Sequence, residues 1–205
     1  YYQRVPEDGQ SAMKWPGLDL AGQIDGFAVA ETVQAPVWRP VAAPGMKAAP
    51  TPDARSVCDL LEGWTFIPIN GDTGQPGKPS ATAIPDRFPP ERNYFAGWYT
   101  CRLSLAPRDG KLLIARFEQV PLFCVLYVNG VECGRHLGAY TPFEFDITSA
   151  VNNGNNLLAL YVHDASAALG KGKAYNQVGS FRPSSPTPLQ GGVWGGVTLE
   201  RRPAA

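Results

Sequence analysis

The run Pro121-Leu-Phe-Cys-Val-Leu-Tyr-Val128 is apolar for eight residues and stops at Asn129-Gly130. That is too short for a membrane span and has the length of a strand. An Asn-Gly pair after such a run signals a two-residue hairpin, because the favoured turn needs positive φ at both central positions. A strand apolar on both faces belongs in a sheet that is covered on both sides. The chain is therefore read as a layered β protein.

The segments around it repeat the pattern of short strand and turn. Trp64-Thr-Phe-Ile-Pro-Ile69 is one strand, and Gly71 to Pro90 reads as a long Gly/Pro loop. Trp98-Tyr-Thr-Cys-Arg-Leu-Ser-Leu105 alternates, with Tyr99, Cys101, Leu103 and Leu105 on one face. Lys111 to Phe117 follows an Arg108-Asp109-Gly110 turn. Phe143-Glu-Phe-Asp-Ile147, Leu157 to Val162 and Val193 to Glu200 complete the set. No stretch carries a convincing helical period, and strands at this spacing indicate a sandwich. Composition agrees. Gly (22) and Pro (20) make up roughly a fifth of the 205 residues, and neither is tolerated well inside helices.

Residues 1–56 hold seven prolines against three in residues 91–180, and Val41 to Pro52 reads as an extended connection. Ile24 to Ala30 has the pattern of an edge strand. Ile24, Phe27, Val29, Val37 and Trp38 are too apolar for a free tail, so part of 18–40 is expected to pack on a main domain at 57–205. The chain starts Tyr1-Tyr2-Gln3-Arg4, without Met or a signal peptide, and is expected to be excised from a longer one. Eighteen basic and eighteen acidic residues cancel, which speaks against a nucleic-acid partner. No apolar run approaches a membrane span.

Cys58, Cys101, Cys124 and Cys133 show no C-x-x-C spacing, and His136 and His163 add little, so neither a metal nor another cofactor is expected. Two disulfides in an exported chain and four buried free thiols remain alternatives. His136 is read as a hydrogen-bonded residue pinning its loop. Asp146 is read as an acceptor in the Asp-Ile-Thr turn. Phe143, Phe145, Trp64 and Trp194 are read as core.

Several motifs occur in a fixed order. They are Gly97-Trp98-Tyr99, Arg116-Phe-Glu-Gln-Val120, Val125-Leu-Tyr-Val-Asn-Gly130, Gly134 through Thr148, Gly154-Asn-Asn-Leu-Leu-Ala159 and Gly191-Gly-Val-Trp194. Together with Asp59 to Phe66 this series resembles the sugar-binding domain of family 2 glycoside hydrolases, the β-galactosidase, β-glucuronidase and β-mannosidase group, over about residues 57–201. The resemblance implies an antiparallel jelly-roll β-sandwich of the galactose-binding type. It also implies a covalently linked catalytic barrel elsewhere in a secreted or periplasmic parent enzyme.

Hydrolysis needs two carboxylates on either side of the scissile bond. In the resembled family these sit on a (β/α)8 barrel, which needs about 250 residues. The chain alone is therefore expected to be non-catalytic: a carbohydrate-binding module or accessory domain. The alternative is a structural sandwich that binds no sugar, with a stand-alone enzyme as a third reading. Family members lend a polar residue from the segment before the last strand. Here no acidic residue lies between Asp164 and Glu200. Aromatic faces stack on pyranose rings, and amides and guanidinium groups bridge hydroxyls. On that chemistry Tyr175, Asn176, Phe181, Arg182 and Gln190 are the expected contacts to an oligo- or polysaccharide, with Tyr94, Trp98 and Tyr140 as a second aromatic platform; because Trp98 is read as beginning a strand, a core role is the favoured alternative for it.

Overall fold

The computed structural model describes residues 33–41, 55–70, 75–87, 94–106, 109–138, 141–163 and 191–204. Regular structure among them is strand throughout. In chain order the strands are β1 (Val33–Gln34), β2 (Arg39–Pro40), β3 (Ser56–Asp59), β4 (Trp64–Asn70), β5 (Ser80–Thr82), β6 (Asp86–Arg87) and β7 (Tyr94–Leu105). They continue with β8 (Leu112–Phe117), β9 (Leu122–Val128), β10 (Val131–Gly138), β11 (Phe143–Asp146), β12 (Gly154–His163), β13 (Gly192–Val193) and β14 (Val197–Arg202). No helix among them is long and apolar enough to cross a membrane.

Two sheets face each other. One has the order β10-β9-β12-β7-β4-β5, with β1 also on β7, and the other has the order β11-β8-β14-β3-β2. The pairs are antiparallel except β1 on β7, which is parallel. The alternation read in 98–105 is realised: Tyr99, Cys101, Leu103 and Leu105 all enter the core between the sheets, with Trp64, Phe117, Leu126, Leu160 and Leu199. The strand of continuous apolar character behaves as its composition demands. In β9, Cys124, Leu126 and Val128 face this core, while Val125 and Tyr127 face a second cluster on the outer side, with Ile67, Ile69, Trp98, Ala159 and Tyr161. The central strands of the seven-stranded sheet are thus buried on both faces, while its edge strands β10 and β5 are not. The five-stranded sheet carries charge outward. Glu200 is held between Arg55 (2.5 Å) and Arg202 (2.7 Å), and Arg202 also grips Glu144 (2.5 Å). Burial pulls the Glu200 carboxyl up, but its bonds to Arg55 and Arg202 outweigh that and hold it below the usual carboxylate range.

The Asn129-Gly130 hairpin joins β9 to β10 as expected, with φ of 51° and 80°. Two elements depart from the sequence reading. The 71–90 loop contains strands β5 and β6, and its Pro76 bridges to Ile69. The last strand is broken: β13 pairs with β6 and β14 lies in the five-stranded sheet. The break falls at Gly195-Gly196, where a Cβ on Gly195 would come within 2.8 Å of the Gln119 amide nitrogen. Such close backbone approach excludes a side chain. The four cysteines are free, so the two-disulfide alternative is not realised. Burial pushes the Cys101 thiol up to about 12, which makes it inert.

Of the N-terminal segment, residues 33–41 lie on the sandwich. Trp38 packs against the main core and under Arg201, 4.2 Å from the ring centre, while Val37 is exposed. Ile24, Phe27 and Val29 lie outside the described residues.

Candidate functional site

Strand register separates the two ends of the sandwich. Asn129-Gly130, Gly154 and Leu105 mark one end. At the other, His163 stands opposite Ala96 and Phe123, Leu122 opposite Gly138, and Asn70 opposite Tyr94. The connections 71–74, 88–93, 139–140 and 164–190 therefore all depart from the second end. Tyr94 begins β7 there, and Tyr140 follows two residues after β10. Tyr140, Tyr175, Asn176, Phe181, Arg182 and Gln190 lie outside the described residues, but the strand ends that flank them converge.

Trp98 does not belong to a binding platform. It is fully buried in the outer cluster of the seven-stranded sheet, 5.2 Å and edge-on to Tyr161 and 5.9 Å from Tyr127. A ring sealed on both faces offers no surface to a pyranose. Its place inside β7, between Ile67 of β4 and Tyr161 of β12, accounts for this, where the sequence suggests a strand beginning at Trp98.

At the loop-bearing end the two-residue ladder β6–β13 closes the mouth of the sandwich. Gly192 opposes Arg87, and Val193 opposes Asp86. Gly192 takes φ 131°, and a Cβ there would lie 2.5 Å from the Asp86 carbonyl oxygen. Only glycine combines that backbone with that approach. Beneath the ladder, the fully buried Tyr99 donates its hydroxyl to Asp86 Oδ2 at 3.0 Å. Burial, and then the Asp86 charge, push the phenol far above its ordinary pKa, so it remains a proton donor. The Arg87 amide donates to Asp86 Oδ1 at 2.9 Å. The carboxylate is half-buried, fixed in direction, and left with lone pairs for a further hydroxyl donor.

Beside it the Arg87 guanidinium lies 4.3 Å from the Trp194 ring centre. Trp194, read as core, is only half-buried, and its backbone N–H donates to Gln119 O at 2.9 Å. His136 stacks on Phe143 at 3.8 Å and 10°, and Phe143 stacks in turn on Phe117 at 5.2 Å. The expected hydrogen bond is absent: His136 Nε2 is buried without a partner, so the ring is held by stacking. Asp146 does accept from the Thr148 amide at 2.9 Å, as its turn position implied.

Sequence reading missed Asp86, Arg87 and Tyr99 as a unit. Asp86 and Arg87 sit in what looks like loop, and Tyr99 in what looks like an ordinary core strand. Only the pairing of β6 with β13 brings them together. Chemically the group can accept from hydroxyls and present a cation. Among the described residues no three His, Cys, Asp or Glu side chains cluster as a metal site.

The comparisons with known proteins concern the domain as a whole. Residues 78–185 match the model described as "Glycosyl hydrolases family 2, sugar binding domain". A β-galactosidase of Thermoanaerobacter pseudethanolicus is 42% identical over 83 residues, which cover 38% of this chain and 11% of that protein. A β-glucuronidase of Formosa agariphila is 33% identical over 78 residues, covering 36% and 8%. The chain thus spans about a tenth of the length of the curated relatives it matches. Among solved structures, a Bifidobacterium dentium β-glucuronidase complexed with coumarin-3-O-glucuronide superposes with a TM-score of 0.59 at 26% identity, covering 75% of this chain and 31% of that one. A Bacteroides uniformis β-glucuronidase shares the fold at 23% identity, with a TM-score of 0.57, covering 73% and 18%.

Proposed function

Because this chain belongs to the sugar-binding domains of family 2 glycosyl hydrolases, we propose that it is the non-catalytic carbohydrate-binding or accessory domain of a larger, polysaccharide-degrading glycoside hydrolase. The observation that carries this reading is the convergence of strand ends. Four connections, including the 164–190 segment with its Tyr, Phe, Asn, Gln and Arg residues, leave the sandwich beside the oriented Asp86 carboxylate. Functional residues concentrate on loops fixed by a rigid scaffold. In this role Tyr175 and Phe181 stack on sugar rings, and Asn176, Arg182 and Gln190 bridge hydroxyls or a uronate. Acidic or galacto-configured polymers are the favoured ligands. A polymer is degraded outside the cytoplasm, so the parent enzyme is a secreted or periplasmic protein, with its catalytic carboxylates on a covalently linked barrel.

A second reading has a specific feature in its favour. The absence of any acidic residue between Asp164 and Glu200 removes a carboxylate from the segment where family members place a sugar contact. On that reading the sandwich buttresses the barrel and binds no sugar itself.

Glycan arrays and affinity gels on the 205-residue chain separate the two. Retention by at least one glycan, reduced in folded Tyr175→Ala and Arg182→Ala proteins, supports binding. No retention by any glycan leaves the buttress. Turnover of aryl glycosides by the chain alone would overturn both.

A further inference from the structure

Four arginines on the outward side of the five-stranded sheet are each answered by a carboxylate. Arg39 pairs with Asp59, Arg55 and Arg202 with Glu200, and Arg116 with Glu118. Arg201 is the exception. It follows Val197 and Leu199 at alternate positions of β14, and both of those are core residues, so it points inward. It does so at the end of the sandwich that carries the Asp109-Gly110 turn, away from the 164–190 connection.

The guanidinium lies over Trp38, 4.2 Å from the ring centre. The side chain is half-buried, its Nε is sealed from solvent without a partner, and among the described residues no carboxylate pairs with it. A partly buried cation without a counter-charge is costly. The Trp38 face offsets part of that cost but leaves the N–H fork unanswered. Asp109 is not the missing partner. It sits exposed in its turn with φ 52° and acts on Arg201 only through its field.

We propose that Arg201 holds an oxyanion, a carboxylate or sulfate group, beside Trp38, with the Ser56 hydroxyl as a second donor.

Register supplies that second donor. Arg201 stands opposite Ser56 of β3 and Leu113 of β8, and directly opposed residues share a face. Ser56 and Arg201 therefore address the same space, floored by the buried Leu113 and Cys58. A guanidinium presents two parallel N–H groups, and carboxylate and sulfate both offer two oxygens at the matching spacing. Stacking on Trp38 fixes the direction of the fork before the ligand arrives, so less side-chain freedom is lost on binding. Burial lowers the Arg201 pKa and the Asp109 charge restores only part of it, which is the behaviour of a cation short of negative charge. The site lies at the opposite end from the loops and does not rest on the sugar-binding reading.

The test uses the whole chain labelled with 5-fluorotryptophan, with the Trp38 and Trp64 resonances assigned by single Trp→Phe substitutions. Sodium sulfate or sodium glucuronate is titrated at constant ionic strength against sodium chloride. The expected result is a saturable shift of Trp38 with one oxyanion or both, while Trp64, buried in the core, stays in place. A response to glucuronate alone identifies a carboxylate ligand, and a response to sulfate alone a sulfate. Arg201→Lys keeps the charge and loses the fork, and should raise the half-saturating concentration about tenfold. Asp109→Asn removes an opposing charge in a turn where asparagine takes positive φ readily, and should lower that concentration about two- to threefold. A Trp38 shift that chloride reproduces, no saturable shift, or an unchanged half-saturation in either folded variant would overturn the proposal, whatever glycan the domain binds.

Discussion

The Asn129 side-chain amide donates to Asn156 Oδ1 at 2.8 Å, and this one contact ties the hairpin tip to the turn that opens β12. Asn129 also donates to the Ala150 carbonyl and accepts from the Leu157 amide, at 2.8 and 2.9 Å. Asn156 caps its own turn through Asn152 N, Asn152 O and Gly154 O. The end of the sandwich away from the loops is closed by two amides with their valences filled.

Asn156→Ala should therefore cost about 2–4 kcal/mol, because it removes at once the partner of the Asn129 amide and of three part-buried backbone groups. The expected drop in melting temperature is roughly 5–10 °C for a chain of this size. Thermal denaturation followed by circular dichroism checks it. A loss below about 0.5 kcal/mol would mean water replaces the network.

Gly192→Ala should break the ladder at the loop-bearing end. The φ of 131° and the 2.5 Å approach to Asp86 O leave a methyl nowhere to go. We expect a cost of about 2–4 kcal/mol, with hydrogen exchange rising at Asp86 and Arg87 and not in β14. Tyr99→Phe, which removes only the donor to Asp86, should cost about 1–2 kcal/mol.

Gln34 lies over Gly63, and a Cβ on Gly63 would sit 2.7 Å from the Gln34 Cδ. Gly63→Ala should destabilise by about 1–3 kcal/mol, partly by displacing Gln34 and partly through its φ of 70°. Combining it with Gln34→Ala relieves the clash and not the φ strain. The double mutant should thus lose less than the sum of the singles, and a denaturant-melt cycle measures the difference.

Burial lowers the His136 pKa, and nothing donates to or accepts from its Nε2. As pH falls through about 6.5 the unfolded chain takes up the proton before the folded one. The contribution is fully present above that pH and is lost below it. His136→Phe, which keeps the stack on Phe143, should flatten the stability profile below about pH 6.5. An unchanged slope would assign the pH dependence to other groups.

The parts legible in the sequence are those fixed by local chemistry. The alternation of Tyr99 to Leu105, the two-faced β9, the Asn129-Gly130 turn and the Asp146 acceptor each follow from side-chain period or turn stereochemistry. Long-range pairing set the rest. β6 and β13 are two residues each and exist only because they meet. β1 is a strand only because the pairing of β4 along β7 ends at Trp64–Cys101 and leaves Arg102 and Leu103 open. Trp98 follows the same rule: its aromatic neighbours in sequence suggest a platform, but the pairing of β7 between β4 and β12 places it in the outer cluster, the core role that its strand position favours. The candidate site inherits this limit, since Asp86 and Tyr99 meet across thirteen residues of sequence and two different sheets.

The short strand β2 has an effect out of proportion to its length. It forms the edge of the five-stranded sheet, with Arg39 opposite Val57 and Pro40 opposite Ser56, and Arg39 is paired to Asp59. Proline has no N–H to give a neighbour, and a charged arginine resists the approach of another strand. The pair acts as a stopper against edge-to-edge addition of another strand to the sheet. A chain shortened to begin at residue 55 bares β3 beneath it, so its failure would be seen first as association, with particles growing in solution before any change in the melting curve.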